Sequence, residues 1–310
     1  MISKNSKIYI AGHNGMVGSA ILKKLKKLGY NKLLFRESSK IDLRNQDKTY
    51  KFLKRNKPDV VFIAAAKVGG ILENINYGAD FISDNLLIQN NLIIGSFKNK
   101  VKKLIFLSSS CAYPVDSPRP LKEKYFFQGK LEETNAPYAI AKLAGMKLCQ
   151  SLNHQYKTDF KTIVPCNLYG ENDNFDLNSS HFFPALLRKI HNFKIGKKNY
   201  VEIWGNGLAK RELMHVDDLA DAAIHFMLSK THQDTINIGT GKQFTIMHYA
   251  REICKILNVK PKFKLDLKKP NGMKTKVLDI SLAKNLGWES KISLKSGIER
   301  TYHYFINNLG

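Results

Sequence analysis

The stretch KIYIAGHNGMVGSAILKKLKK, residues Lys7–Lys27, decides the fold. A β-branched and aromatic run, Lys7–Ala11, passes directly into Gly12-His13-Asn14-Gly15-Met16-Val17-Gly18 and then into an amphipathic helical window, Met16–Leu28. Glycine permits positive φ and close backbone approach, and a helix N-terminus offers free N–H groups and a positive dipole end to a pyrophosphate. Three glycines alone are only turn chemistry. With a strand before them and a helix after them, they read as a dinucleotide-binding turn.

The same alternation continues downstream. Lys32–Arg36, Asp59–Ala66, Lys103–Ser110 and Phe160–Cys166 read as strands, and Gln46–Asn56, Phe81–Phe97 and Tyr138–Tyr156 as helices. Near-continuous apolar strands separated by helices predict a parallel sheet covered on both faces. After Gly170 the pattern loosens: a polar stretch, ENDNFDLNSS, precedes a helix over Phe183–His191 and another over Val216–Leu228. A strand at Thr235–Ile238, a helix at Thr245–Leu257, a basic run, an extended Val277–Ile280 and a helix over Ser293–Asn307 complete the chain. The expected architecture is α/β: a Rossmann-like, doubly wound parallel sheet with a smaller C-terminal α/β domain. The first comprises residues 1–170 plus about 214–240, and the second, which binds substrate, about 171–213 plus 241–310. No internal repeat points to a solenoid.

Composition narrows the class. The chain has 310 residues, 43% of them hydrophobic, which suffices for a sizeable core and excludes wholesale disorder. No apolar run approaches the roughly 20 residues that span a bilayer, and MISKNSKIYIAGHNG lacks a secretory apolar region, so a cytoplasmic location is expected. Cys111, Cys149, Cys166 and Cys254 are too few and too widely spaced for a disulfide scaffold or a structural zinc site, and read as reduced thiols. The formal net charge of +24 raises nucleic acid as a partner. The lysines, however, are spread along the chain in the manner of solvated helix faces and loops.

Thr134-Asn135-Ala136-Pro137-Tyr138-Ala139-Ile140-Ala141-Lys142 reads as a helix start, capped by Asn135 or Thr134 with proline in the first turn. Tyr138 and Lys142, four apart, share a helical face. A lysine beside a phenol is expected to favour the phenolate and lower its pKa. Such a pair arises by chance in many helices. It gains weight from Ser108-Ser109-Ser110-Cys111-Ala112-Tyr113-Pro114, which supplies hydroxyls at the carboxyl end of the fourth strand, where open α/β sheets place their ligands.

The G-x-x-G-x-x-G spacing, the serine-bearing strand end and the Tyr/Lys helix, in this order, resemble the extended short-chain dehydrogenases/reductases over nearly the whole chain. The blocks AGHNGMVGSAI, AAAKVGGI, FLSSSCAYP, PYAIAKLAG, NLYGENDNF, SHFFPALLRK, REL-MHVDDLA and NIGTG resemble the GDP-L-fucose synthase family within that group. The resemblance implies an NADPH-dependent 3,5-epimerase and 4-reductase acting on GDP-4-keto-6-deoxy-D-mannose, working as a homodimer through the Phe81–Phe97 and Tyr138–Tyr156 helices.

It also implies residue roles. Ser109 holds the keto oxygen, Tyr138 delivers a proton as hydride reaches carbon 4, and Lys142 holds Tyr138 and the nicotinamide ribose. Cys111 and His181 form the acid/base pair that inverts carbons 3 and 5, both groups titrating near neutrality. Their alternatives are an inert thiol and a hydrogen-bonded loop histidine. Gly12 to Gly18, with His13, Asn14, Met16 and Val17, and then Arg36, Leu43, Ala65 and Ala66, line the dinucleotide site. Leu107, Ser108, Pro165, Asn167, Leu168 and His181 continue it. Asp42 reads either as a contact on the adenine-ribose side or as a helix N-cap. Ser109, Ser110, Asn167, Lys189, Trp204, Arg211 and Asp279 fall at nucleotide-sugar positions, with an ion pair to Glu212 or Asp217 the rival for Arg211. Cys149, Cys166 and Cys254 keep a core reading, and His215 one near a helix cap.

Asn14 and Ser38 depart from the arginines expected to grip the NADP 2′-phosphate, so Arg36 or Lys40 is left to that task and NAD remains a possible cofactor. Two alternatives stay open: the same site acting on another GDP-4-keto-6-deoxy sugar such as a heptose, or a non-catalytic dinucleotide sensor or nucleic-acid-binding regulator.

Overall fold

In the computed structural model, which describes residues 2–269 and 273–309, the opening stretch forms strand β1 (Ile8–Ala11) and helix α1 (Met16–Lys27). β2 (Leu33–Leu34), α2 (Gln46–Asn56), β3 (Val60–Ile63), α3 (Ile71–Asn76), α4 (Gly78–Lys98), β4 (Lys103–Leu107), α5 (Ala136–Tyr156) and β5 (Phe160–Pro165) follow. A six-stranded sheet in the order β2-β1-β3-β4-β5-β9 results, with β9 (Thr235–Ile238) contributed from later in the chain. Every pairing in it is parallel.

The alternation of side chains along a strand sorts the core into two layers. Ile8, Ile10, Val60, Phe62 and Ile105 point to one face, where they meet Ile21 and Leu25 of α1 and Leu219 and Ala223 of α7 (Val216–Leu228). Tyr9, Ala11, Val61, Ile63 and Phe106 point to the other, against Leu53 of α2, Leu92 of α4 and Cys149 of α5. Each fully buried side chain of this kind contributes about 1.5–3 kcal/mol. Truncating Phe106 to alanine would cost about 3–5 kcal/mol through the cavity left behind. Winding reverses between β1 and β3, which opens the crevice where such sheets bind ligands.

The second half is richer in strands than its loose pattern predicts. β6 (Asn167–Tyr169), α6 (Phe182–Lys194), β7 (Val201–Trp204), β8 (Lys210–His215), β10 (Gln243–Thr245), α8 (Ile246–Leu257), β11 (Phe263–Asp266) and α10 (Leu294–Asn308) surround a separate aromatic-rich core, while α9 (Ser281–Asn285) packs on the large sheet. The short strands form a β10-β8-β6 sheet and a β11-β7 pair. Strands of three to six residues carry too little periodicity to be read from sequence. The extended Val277–Ile280 reduces to one parallel bridge, Leu121–Leu278, and Leu278, Ala283 and Trp288 pack into the core of the large sheet.

Glu212 ties these parts together. Its buried carboxylate accepts backbone N–H groups of Thr240 (2.6 Å), Gly241 (2.7 Å) and Leu278 (2.7 Å). Among the described residues no helix is long and apolar enough to cross a membrane.

Candidate active site

The turn after β1 leaves no room for side chains. Gly12 has φ +85°, and a Cβ there would lie 2.6 Å from the Ala65 nitrogen; one at Gly18 would lie 2.0 Å from the Gly12 carbonyl oxygen. The chain thus crosses tightly from β1 to α1, over Ala65 and Ala66 at the end of β3. Gly15 stands at the N-cap of α1 with no side-chain cap, and the first turn carries no acidic residue. These N–H groups remain open to an anion, as a dinucleotide pyrophosphate requires. Met16 and Val17 pack on the core, and His13 is buried against the Phe35 ring at 4.8 Å, which lowers its pKa by desolvation.

The ribose side is polar and exposed. Asn14, Arg36, Ser38 and Lys40 are solvent-exposed. Asp42 is not a cap: it pairs with Arg44 at 3.0 Å, while Asn45 caps α2 by accepting the Lys48 N–H. Leu43 packs with the core on the α2 side of the sheet.

At the carboxyl end of β4, Ser108 is buried with its hydroxyl unpartnered, and Ser110 is buried beside it. The Ser109 hydroxyl accepts the Cys111 N–H at 3.2 Å, so the two side chains are fixed on one tight turn. α5 delivers Tyr138 and Lys142 to the same place. Asn135 holds its N-cap position without a side-chain hydrogen bond, and Pro137 starts the helix.

Lys142 donates to the Leu107 carbonyl at 2.9 Å and lies over the Tyr138 ring, 5.6 Å from its centroid. Burial pushes its pKa down to about 7. The expected lowering of the tyrosine does not occur. Burial and the neighbouring Cys111 raise the phenol well above its ordinary value, and the Ser109 hydroxyl only partly offsets this. With its ammonium engaged by a carbonyl, Lys142 leaves Tyr138 a protonated donor.

Cys111 behaves differently from the other thiols. Burial pushes Cys149, Cys166 and Cys254 up. For Cys111 burial also acts upward, but Lys276, whose ammonium reaches Sγ at 3.1 Å, and the Ser109 hydroxyl bring it below its ordinary value. Crowding and the same lysine lower His181, the N-cap residue of α6. The half-buried Arg211 guanidinium, lowered by desolvation and held up in part by the Cys111 charge, donates to the Lys210 and Met273 carbonyls. Its imagined ion-pair partners are otherwise engaged: Glu212 binds backbone, and Asp217 pairs with Arg300. His215 caps α7, accepting the Asp217 N–H at 3.2 Å.

The remaining expected contacts lie in smaller groups. Pro165 ends β5, and Asn167 and Leu168 begin β6. Lys189 on α6 pairs with Glu202 at 3.3 Å and stacks 5.3 Å from the Trp204 ring centroid. The Asp279 carboxylate accepts the Ser281 N–H at 2.9 Å, with Lys122 3.8 Å away. Lys276 and Glu212 carry no sequence signal: one sits in a basic run that reads as solvated, the other beside an arginine that reads as its partner.

Residues 8–239 match the NAD dependent epimerase/dehydratase family. The chain is 43% identical to a GDP-L-fucose synthase of Escherichia coli (strain K12), over 97% of each chain. It is 42% identical to GDP-L-fucose synthase 1 of Arabidopsis thaliana, over all of this chain and 96% of that one. A solved GDP-mannoheptose C4 reductase from Campylobacter jejuni with NADP bound superposes with a TM-score of 0.90 at 38% identity, covering 99% of this chain and 100% of that one. The chain therefore belongs to the NAD dependent epimerase/dehydratase family, within its GDP-L-fucose synthase group.

Proposed function

We propose that this protein is a bifunctional NADPH-dependent 3,5-epimerase and 4-reductase that converts GDP-4-keto-6-deoxy-D-mannose to GDP-L-fucose. The observation that carries the reading is one cluster in which Ser109, Cys111 and Tyr138 meet, with Lys142 behind the phenol and Lys276 against the thiol. A reductase alone needs the first half of this cluster. The second half suits proton removal next to a ketone.

The residues act as follows. Ser109 donates to the keto oxygen, which gathers negative charge whenever a neighbouring carbon loses its proton. Cys111 as thiolate takes that proton, the electron pair moves onto the keto oxygen, and His181, in the fraction of molecules that carries the extra proton, returns one from the opposite face. Reduced nicotinamide, when bound, supplies hydride to carbon 4. Tyr138, kept protonated, gives the keto oxygen its proton, and Lys142 reaches the ribose. The glycine turn, with its open N–H groups and unpartnered Ser108 hydroxyl, fits the dinucleotide. Exposed Arg36 takes a 2′-phosphate in place of the missing arginines, which supports NADP over NAD. Lys189, Trp204, Arg211 and Asp279 bind the GDP-sugar from the C-terminal domain, residues 171–213 plus 241–310, opposite the cofactor domain.

A 4,6-dehydratase product of GDP-mannose, mixed with the protein and NADPH in deuterated water, tests this. Oxidation of NADPH with deuterium at carbons 3 and 5 is expected; oxidation with no deuterium leaves a C4 reductase only. The likeness to the heptose C4 reductase favours a second reading, the same site on a GDP-4-keto heptose, which a panel of GDP-4-keto sugars separates. Exposed Leu87 on α4 and Ile140 and Tyr156 on α5 support a homodimer through these helices. The four free thiols, Cys111, Cys149, Cys166 and Cys254, support work in a reducing compartment, the cytoplasm.

A further inference from the structure

We propose that Lys276 is the charge partner of Cys111: its ammonium holds the sulfur as the base for the protons next to the ketone, from a segment pinned in place by Glu212. This rests on the epimerase reading above and adds a residue to it.

The geometry is specific. Lys276 Nζ lies 3.1 Å from Cys111 Sγ, and Lys276 is only 8% exposed although it belongs to a lysine-rich run. A lysine is buried to this degree only where its charge has a use. Its backbone cannot drift. Val277 O accepts the Leu121 N–H at 2.9 Å, Asp279 N–H donates to Leu121 O at 2.8 Å, and Leu278 N–H donates to Glu212 Oε2 at 2.7 Å. The opposite partner is equally fixed, because the Cys111 N–H is bound to Ser109 Oγ at 3.2 Å. A flexible four-carbon side chain has been turned into a positioned point charge.

The other groups facing the sulfur do not replace it. Glu132 opposes the thiolate, and Tyr138 stays protonated beside it. Arg211 is drawn to the same sulfur while spending donors on carbonyls. Cys149 and Cys254, with no lysine acting on them, are driven up by burial, and so is Cys166, where Glu212 opposes the more distant Lys276; Cys111, in direct contact with that ammonium, goes down. His181 also feels the Lys276 charge, which opposes protonation of the imidazole. Removing the charge therefore raises both members of the pair together, and the epimerisation profile moves to higher pH as a whole.

The test is alkylation of Cys111 by iodoacetamide as a function of pH, followed by mass spectrometry, on the wild-type protein, Lys276→Met and Lys276→Arg. The methionine variant should shift the alkylation midpoint up by about one pH unit or more, and the arginine variant should restore most of it. Deuterium incorporation should show the same alkaline displacement. Rescue by the arginine variant, together with a circular-dichroism spectrum and thermal midpoint like those of the wild type, is a result that a general loss of structure would not produce. A midpoint that does not move in a folded Lys276→Met protein overturns the pairing. Wild-type protein that incorporates no deuterium overturns the epimerase reading, and with it the use made of the thiolate, whatever the midpoint does.

Discussion

The two walls of the cleft are built in opposite ways, and each has a buried lysine. On the β4–α5 wall, Lys142 sits one helical turn from Tyr138 and donates to a carbonyl at the end of the neighbouring strand. On the other, Lys276 meets Cys111 from 165 residues away along the chain, and His181 and Arg211 arrive on two further elements. Local spacing makes the first wall; tertiary packing makes the second. The difference in chemistry follows: Lys142, buried with no anion to offset its desolvation, sheds its proton easily, whereas Lys276 faces a group able to carry negative charge. We assign reduction to the first wall and epimerisation to the second.

The largest effect that separates them is expected from Tyr138→Phe. NADPH oxidation should fall by about 10²- to 10⁴-fold, while solvent deuterium still enters carbons 3 and 5. Equal loss of both would mean that the walls do not act separately.

Next in size is a pH effect confined to the first wall. Unfolded, Lys142 keeps its proton up to its ordinary 10.5; folded, only up to about 7. Between these values the unfolded chain binds more protons, so this group's contribution to stability grows as pH rises and is lost as pH falls through 7, by at most about 5 kcal/mol. Denaturant midpoints from pH 6.5 to 10 should show that slope in the wild-type protein and lack it in Lys142→Met.

Glu212→Ala probes the support of the second wall. Three backbone N–H groups lose their acceptor, and at about 1–3 kcal/mol for each group left unsatisfied, relieved in part by water, the loss should reach about 3 kcal/mol in urea unfolding. Smallest is Arg36→Ala, on neither wall. KM for NADPH should rise about fivefold with kcat and the NADH constants little changed, since one exposed charge on a phosphate is worth about 1 kcal/mol. An equal change with NADH would place the 2′-phosphate elsewhere.

How much of this was legible in the sequence depended on distance along the chain. Gln46–Asn56, Val216–Leu228 and Thr235–Ile238 take their predicted bounds, because caps and apolar periodicity are local signals. The short strands β6, β7, β8, β10 and β11 are held by partners rather than by their own pattern, and were illegible for that reason. Of the two readings of Asp42, the helix cap falls, because Asn45 caps α2 while Arg44, two residues on from Asp42, pairs with its carboxylate. The Tyr138–Lys142 spacing was correct and its electrostatics were not, because burial and the neighbouring Cys111, both set by tertiary packing, raise the phenol.

What the sequence determined by itself is the sheet, the glycine turn and the identity of the chemical groups, since backbone sterics and side-chain type act within a few residues. Only the tertiary structure decided their protonation. Whether a thiol, phenol or lysine holds its proton depends on burial and on charges within a few ångströms, and for Cys111 that charge lies on Lys276, which no local pattern joins to it.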